Sequence, residues 1–137
     1  MKLFAVHEDS MRPALLPGDR LLARRALLRR GDVAVFAHPF HPEVHLVKRI
    51  VAVVGDDVEC QGDRLEIHRE DGSAESMSLG ITEPRPRRWS VLEGEAFVLS
   101  DNTSETRADS RVFGPIPLAG ARRVVLRYGR RRWSFHP

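Results

Sequence analysis

The run LVKRIVAVV at residues 46–54 constrains the fold of this chain more than any other segment. It is aliphatic, rich in β-branched residues and closed by the turn signal Gly55-Asp56, which together predict a buried strand. Side chains alternate along a strand, so Lys48 shares one face with Leu46, Ile50 and Ala52. The run therefore predicts a lysine on a desolvated face, with Arg49 pointing the other way toward an acid or the rim.

Other segments of the chain repeat this strand-like character. They are residues 33–36, 58–60, 64–68, 96–99 and 123–128. Gln61-Gly62-Asp63 joins two of them as a hairpin. Residues 20–28 fit either a helix or a strand, and the polar residues 69–95, with several glycines and prolines, predict a loop. We therefore expect an all-β fold of short, mostly antiparallel strands with little helix, in one domain spanning residues 1–137.

Composition excludes several classes of protein. Hydrophobic residues at 42% and charged residues at 30% are typical of a globular chain. The single cysteine, Cys60, excludes an internal disulfide framework and a cysteine-based metal cage. No run is long and apolar enough for a membrane span, and the N-terminus lacks a signal-peptide core. We therefore expect a cytoplasmic or membrane-peripheral protein.

Histidines and basic residues suggest other ligands. His38, His41 and His45 are close in sequence, but Pro39 and Pro42 prevent the regular helix that would align them, so we predict a loop and no metal or cofactor. Arginine-rich segments near aromatic residues are more often solvated surface than a nucleic-acid site. We expect no nucleic-acid partner and allow contact with a membrane surface.

Lysine is rare in this chain, which sharpens the interpretation of Lys48. Of 22 basic residues, only Lys2 and Lys48 are lysines. A lysine inside an apolar run is thus not one of many surface lysines. Taken alone, it could still be a strand-end residue whose amine reaches solvent.

Four sequence blocks occur in a fixed order. They are DSMRPALLPGD at 9–19, RGDVAV at 30–35, VKRIV at 47–51 followed by Gly55-Asp56, and SDN at 100–102 with DSRVFGP at 109–115. Each alone has an ordinary explanation as a cap or a turn. Together they resemble the signal peptidase I family of serine proteases with a Ser/Lys dyad. The resemblance covers most of the chain and implies the catalytic-core fold of that family.

The resemblance implies that Ser10 is the nucleophile and Lys48 the general base. A serine hydroxyl needs a nearby base to take its proton. A free lysine has a pKa near 10.4, so it acts as a base only where burial disfavours the ammonium. The predicted apolar face of the 46–54 strand supplies that burial.

Further site residues follow from the fourth block. Asp109 and Arg111 resemble the family's structural ion pair, with Ser110 between them. The family often has a serine two residues before this aspartate, whose hydroxyl orients the lysine, but here that position is Arg107. We expect Thr106 or Ser104 to supply the hydroxyl.

Glu8 departs from the family at the oxyanion hole. Signal peptidases often have a serine two residues before the nucleophile, and its hydroxyl stabilises the oxyanion. An ionised glutamate has no proton to donate. We expect Glu8 to turn toward solvent, with Arg12 as a partner, leaving the Ser10 N–H as the oxyanion donor.

The sequence thus predicts a serine endopeptidase that removes an N-terminal extension or leader from a precursor, bound as an extended strand. Its small size resembles the soluble proteases of nickel superoxide dismutase maturation. One alternative is a catalytically silent peptide-binding module. Another is a self-cleaving repressor, which would need its own cleavage site before the serine. The single Ala-Gly bond, Ala119-Gly120, lies after both dyad residues and so argues against this alternative.

Overall fold

A computed structural model describes residues 1–135 of the chain as two antiparallel β-sheets. The strands are β1 (Lys2–Ala5), β2 (Arg20–Arg24), β3 (Val33–Ala37), β4 (His45–Ala52), β5 (Asp57–Gln61), β6 (Arg64–His68), β7 (Ala74–Ser78), β8 (Arg87–Ser90), β9 (Glu95–Leu99), β10 (Ile116–Pro117), β11 (Arg122–Gly129) and β12 (Arg132–Phe135), with one short helix, α1 (Ser110–Phe113). The predicted all-β fold of short antiparallel strands is confirmed.

The larger sheet carries the dyad candidate Lys48. Its eight strands follow the order β1-β2-β11-β3-β4-β9-β10, with β12 pairing β11. The predicted strand at 46–54 is present as β4, between β3 and β9, and a register shift interrupts its pairing with β9 between Ile50 and Ala52. The ambiguous segment 20–28 forms a strand in its first half.

The smaller sheet corrects one expectation. Its order is β7-β6-β5-β8, and the predicted hairpin is the β5–β6 pair. Residues 69–95 were expected to be a loop, yet they contain β7 and β8. Both are edge strands, and each is largely exposed apart from one half-buried apolar side chain, Met77 in β7 and Trp89 in β8. Their sequences resemble those of loops because only one side chain of each strand packs against the core, and the others, mostly polar, are exposed.

Three apolar clusters hold the sheets together. One lies under the smaller sheet and includes Val58, Leu65 and Phe97, whereas the other two cover the faces of the larger sheet. Within residues 1–135 no helix has the length and apolarity that crossing a membrane requires.

Candidate active site

Ser10 lies in a turn after β1 that is fastened to the end of β9. The backbone oxygen of Ser10 accepts a hydrogen bond from the Asn102 N–H at 2.9 Å, and the Asn102 side-chain amide donates to the Asp9 backbone oxygen at 3.0 Å. The buried side chain of Met11 anchors the turn in the core, and its sulfur accepts from the Asp101 N–H at 3.4 Å. The first and fourth sequence blocks thus meet here, which fixes the position of Ser10.

Lys48 lies on the buried face of β4, as the alternation predicts. Its residue is 2% exposed, and Ile50 on the same face is also buried. The expectation that Ala52 shares this face is wrong, because the register shift after Ile50 pairs Ala52 with Phe97 and turns it into the apolar cluster on the other side. The amine Nζ donates to Ser100 Oγ at 2.7 Å. One of the two lysines of the chain is therefore buried, and its amine is hydrogen-bonded to a serine hydroxyl.

The surroundings of Lys48 favour the neutral amine. Burial lowers the pKa of Lys48 because it removes water from the ammonium. The carboxylates of Asp109 and Glu8 raise this pKa, and Arg111 lowers it, but the desolvation effect is the largest and the net direction is downward. This is the direction a lysine base requires.

Ser10 and Lys48 line one cavity of about 190 Å³. One wall comes from residues 5–8, 10 and 11, which run from the end of β1 through the Ser10 turn, and the other from residues 44–48. Both walls offer backbone that the sheets leave unpaired: β1 is an edge strand, and the β4–β9 pairing begins only at Arg49. An extended peptide could thus enter between them.

The opposite face of β4 has a different role. Arg49 donates to both oxygens of Asp101, at 2.8 and 3.0 Å, and to the Gly31 backbone oxygen. This fulfils the expectation that Arg49 reaches an acid. A larger groove of about 660 Å³ runs along this side. Arg49 and Arg69 in its wall are already paired with carboxylates, and its lining within residues 1–135 includes no lysine, whereas the smaller cavity places Lys48 with Ser10.

The ion pair predicted between Asp109 and Arg111 is present and buried. Their residues are 0% and 1% exposed. Asp109 Oδ1 accepts from Arg111 Nε at 2.9 Å and Oδ2 accepts from Arg111 Nη2 at 2.8 Å. Asp109 Oδ2 also accepts from the Ser100 N–H at 3.0 Å, so the pair holds the backbone of the residue that contacts Lys48.

Arg111 and Ser110 fasten the loop that returns from β9. Arg111 donates to the backbone oxygens of Thr103 and Thr106, and Ser110 Oγ accepts from the Val98 N–H at 2.9 Å. The structure thus brings Asp109, Ser110 and Arg111 together behind the site.

The expectation that Thr106 or Ser104 supplies the hydroxyl on Lys48 is wrong. The Thr106 hydroxyl accepts from the Ala108 N–H, and Ser104 is exposed. Ser100 supplies the hydroxyl instead because it directly follows β9, the strand that pairs with β4, and so comes beside Lys48. Sequence reasoning missed Ser100; its place directly after the buried segment 96–99 was a signal, but which strand lies beside β4 could not be read from it.

Glu8 lines the cavity with an exposed side chain, but Arg12 is not its partner. Arg12 Nε donates to Asp9 instead, which corrects the expected pairing. Within residues 1–135 the N–H of Ser10 donates to no protein group. That N–H remains free to donate to a bound carbonyl.

Groups of metal-ligand type lie elsewhere. His38 Nδ1 accepts from the N–H groups of Phe40 and His41, so this histidine organises a loop as predicted. Glu59, Glu66 and His68 come together on the smaller sheet, where His68 lies 3.6 and 3.4 Å from the two carboxylates. Two of these three residues, Glu66 and His68, are exposed on the sheet surface, and we assign no metal to the group.

Comparison with known proteins agrees with this geometry. The family described as signal peptidase, peptidase S26, matches residues 1–125. The mitochondrial ATP-independent inner membrane protease subunit 1b of Arabidopsis thaliana is 34% identical over 93% of this chain and 66% of its own length. Signal peptidase I of Pseudomonas fluorescens is 29% identical over 79% of this chain and 54% of its own length, so this chain spans roughly half to two thirds of these relatives.

A solved structure shows the same fold. A signal peptidase I from Enterococcus faecalis V583 superposes with a TM-score of 0.54 and 24% identity, covering 72% of this chain and 97% of that one. The four blocks, the match over residues 1–125 and the shared fold lead to one assignment. This chain belongs to the signal peptidase family, peptidase S26.

Proposed function

We propose that this chain is a serine endopeptidase with Ser10 as nucleophile and Lys48 as general base. The observation that carries the proposal is a buried lysine, with its pKa lowered by desolvation, in the same small cavity as a serine. The names of its relatives, signal peptidase I and thylakoidal processing peptidase among them, support removal of a leader or extension from a precursor.

The proposed reaction proceeds through an acyl-enzyme. Neutral Lys48 takes the hydroxyl proton of Ser10 while Ser10 Oγ bonds to the scissile carbonyl carbon, and the carbonyl π electrons move to oxygen. The Ser10 N–H donates to this oxyanion. When the intermediate collapses, the C–N bond breaks and the Lys48 ammonium returns its proton to the leaving amine. Water then hydrolyses the ester with Lys48 again acting as base.

Ser100 acts in this scheme as a positioning residue. Its hydroxyl accepts from Nζ at 2.7 Å, and its own N–H is held by Asp109. The position of the amine is therefore set by Ser100, which is itself held by the buried Asp109–Arg111 ion pair. The substrate is bound as an extended strand between residues 5–8 and 45–48, along the outer edges that β2 and β3 do not occupy. Val6 takes no part in this pairing, because its N–H and carbonyl already bond to Asp19 and Gly18.

The test compares Lys48 with Lys2, the other lysine of the chain, as a control. Cleavage of a library of alanine-rich peptides, read by mass spectrometry, is compared among wild type, Ser10→Ala and Lys48→Ala, with the exposed residues changed in Ser104→Ala and Lys2→Ala as matched controls. We expect the first two variants to be folded and inactive and the controls to be active. Near wild-type turnover in Lys48→Ala would refute the dyad.

A silent peptide-binding module is the second candidate, favoured by Glu8, which places a carboxylate where a donor is expected. The same library decides between the two, since a silent module binds peptides without cleaving them. The narrower resemblance to nickel superoxide dismutase maturation proteases stays a prediction about which precursor is cut.

We also propose contact with an anionic membrane surface. Cross-strand pairing aligns Leu3, Leu22, Leu126 and Phe135 on one face, and Phe135 is 90% exposed. Arginines lie at this edge of the sheet, in β2, the β11–β12 turn and β12. Apolar side chains beside arginines suit the interface of anionic lipids. Wild type should sediment with anionic vesicles and Phe135→Glu should not; equal sedimentation would remove the proposal.

A further inference from the structure

Glu8 places an exposed carboxylate in the wall of the proposed active site. It lines the same cavity as Ser10 and Lys48, and its side chain is exposed. Across residues 1–135 no ion pair or hydrogen bond involves this carboxylate. Arg12, the nearest basic residue along the chain, donates to Asp9 instead.

This carboxylate acts against the reactivity of its own site. The negative charge of Glu8 raises the pKa of Lys48 and so opposes the desolvation that favours the neutral amine. Asp109 acts in the same direction and Arg111 in the opposite one, but those two residues are buried and paired with each other. Glu8 alone among the three faces the cavity that a substrate would fill.

We infer that Glu8 selects peptides that carry a positively charged side chain beside the scissile bond. This inference rests on the proposed peptidase function. An arginine or lysine of the substrate would pair with the carboxylate, which makes no ion pair or hydrogen bond within residues 1–135. The imidazoles of His7 and His45 also line the cavity. Among the described residues, no arginine lines it to compete for Glu8.

Binding of such a substrate would also change the base. A cation paired with Glu8 offsets the field of that carboxylate at Lys48, and the excluded water strengthens the desolvation. A basic substrate would thus promote the neutral form of the amine that attacks it. The preference should appear in kcat as well as in KM.

The experiment varies the charge of the peptide at each position and the charge at Glu8. Alanine-rich peptides carry a single arginine, or a glutamine in its place, at each position from three residues before the cut to two after it. Wild type, Glu8→Gln and the matched control Asp9→Asn, whose carboxylate is paired with Arg12, are assayed at low salt and at 0.5 M NaCl. At one position we expect wild type and Asp9→Asn to cleave the arginine peptide about two- to fivefold better in kcat/KM, as for an exposed ion pair. Glu8→Gln and high salt should abolish the preference.

Three other outcomes would contradict the inference that Glu8 selects basic peptides. If wild type cleaves the glutamine peptides and arginine confers no advantage at any position, the inference is wrong and the peptidase function stands. If Glu8→Gln loses cleavage of the glutamine peptides as well, Glu8 has a chemical role and selection by charge is refuted. If wild type cleaves no peptide, the proposed function fails first and the inference falls with it.

Discussion

Lys48 Nζ donates a hydrogen bond to Ser100 Oγ at 2.7 Å across two neighbouring strands. The geometry follows from register. The β4–β9 ladder ends where Arg49 pairs with Leu99, so Lys48 and Ser100, the next residue on each chain, come beside each other just beyond the ladder. Asp109 holds the Ser100 N–H at 3.0 Å, and Arg111 holds Asp109. Hydrogen bonds through Ser100 thus connect the Lys48 amine to the buried Asp109–Arg111 ion pair.

Ser100→Ala should lower kcat about ten- to a hundredfold with little change in KM, because a misplaced base loses alignment with Ser10. Loss of the acceptor also removes a group that stabilises the ammonium, so the rise of rate with pH should move to lower pH. Both are measured in one peptide assay. Ser100→Thr should restore part of kcat, and Ser104→Ala should leave it unchanged. A normal kcat in folded Ser100→Ala would exclude the positioning role.

The peptidase rate of wild type should rise between pH 6 and pH 9. The active form of Lys48 is the neutral amine, and desolvation lowers its pKa, while Asp109 and Glu8 keep the pKa from falling further. The profile of kcat/KM with a neutral peptide reports this ionisation. A rate that falls steadily over the range, with the protein still folded, would contradict a lysine base.

Lys48→Met should abolish activity and raise the melting temperature at pH 7. In the unfolded chain the lysine binds its proton at a pKa near 10.4, whereas in the folded chain it does so only at lower pH. The free energy of unfolding of wild type therefore falls as pH decreases from about 10.4 toward the lowered pKa. The melting-temperature difference between Lys48→Met and wild type should be larger at pH 7 than at pH 10.

The exposed lysine provides the control for this measurement. Lys2→Met changes the same side chain at a solvated position, so its melting-temperature difference should not depend on pH in this way. If Lys48→Met and Lys2→Met gave the same pH dependence, Lys48 would not be desolvated.

Asp109→Ala should destabilise the fold as well as the activity. It leaves the buried Arg111 guanidinium unpaired and the Ser100 N–H without its acceptor. Removing one partner of a buried pair costs about 3–5 kcal/mol. Urea unfolding measures the loss, and Asp101→Ala, whose pair with Arg49 is partly exposed, should lose less. Equal, small losses would remove the bracing role of Asp109.

The strands around Lys48 could be predicted because their apolar alternation is local in sequence. The burial of Lys48 and the opposite direction of Arg49 follow from period-two alternation, whereas the Asp109–Arg111 pair was expected from the resemblance of the 109–115 block to the family. Ser100 could not be assigned, because its role depends on which strand lies beside β4 and in which register. Edge strands β7 and β8 were missed since they bury too few side chains to leave an apolar pattern.

The last prediction concerns Glu8 and the oxyanion. With a neutral peptide at pH 8, Glu8→Ser should increase kcat, for two separable reasons. Removing the carboxylate lowers the pKa of Lys48, and the new hydroxyl can donate to the oxyanion beside the Ser10 N–H. Glu8→Ala isolates the first effect, so the ratio of Glu8→Ser to Glu8→Ala measures the second. One oxyanion donor is worth about 10²–10³ in kcat, which bounds the gain from above. Slower cleavage by folded Glu8→Ser than by wild type, with a neutral peptide, would mean that the carboxylate takes part in the reaction and is not simply tolerated there.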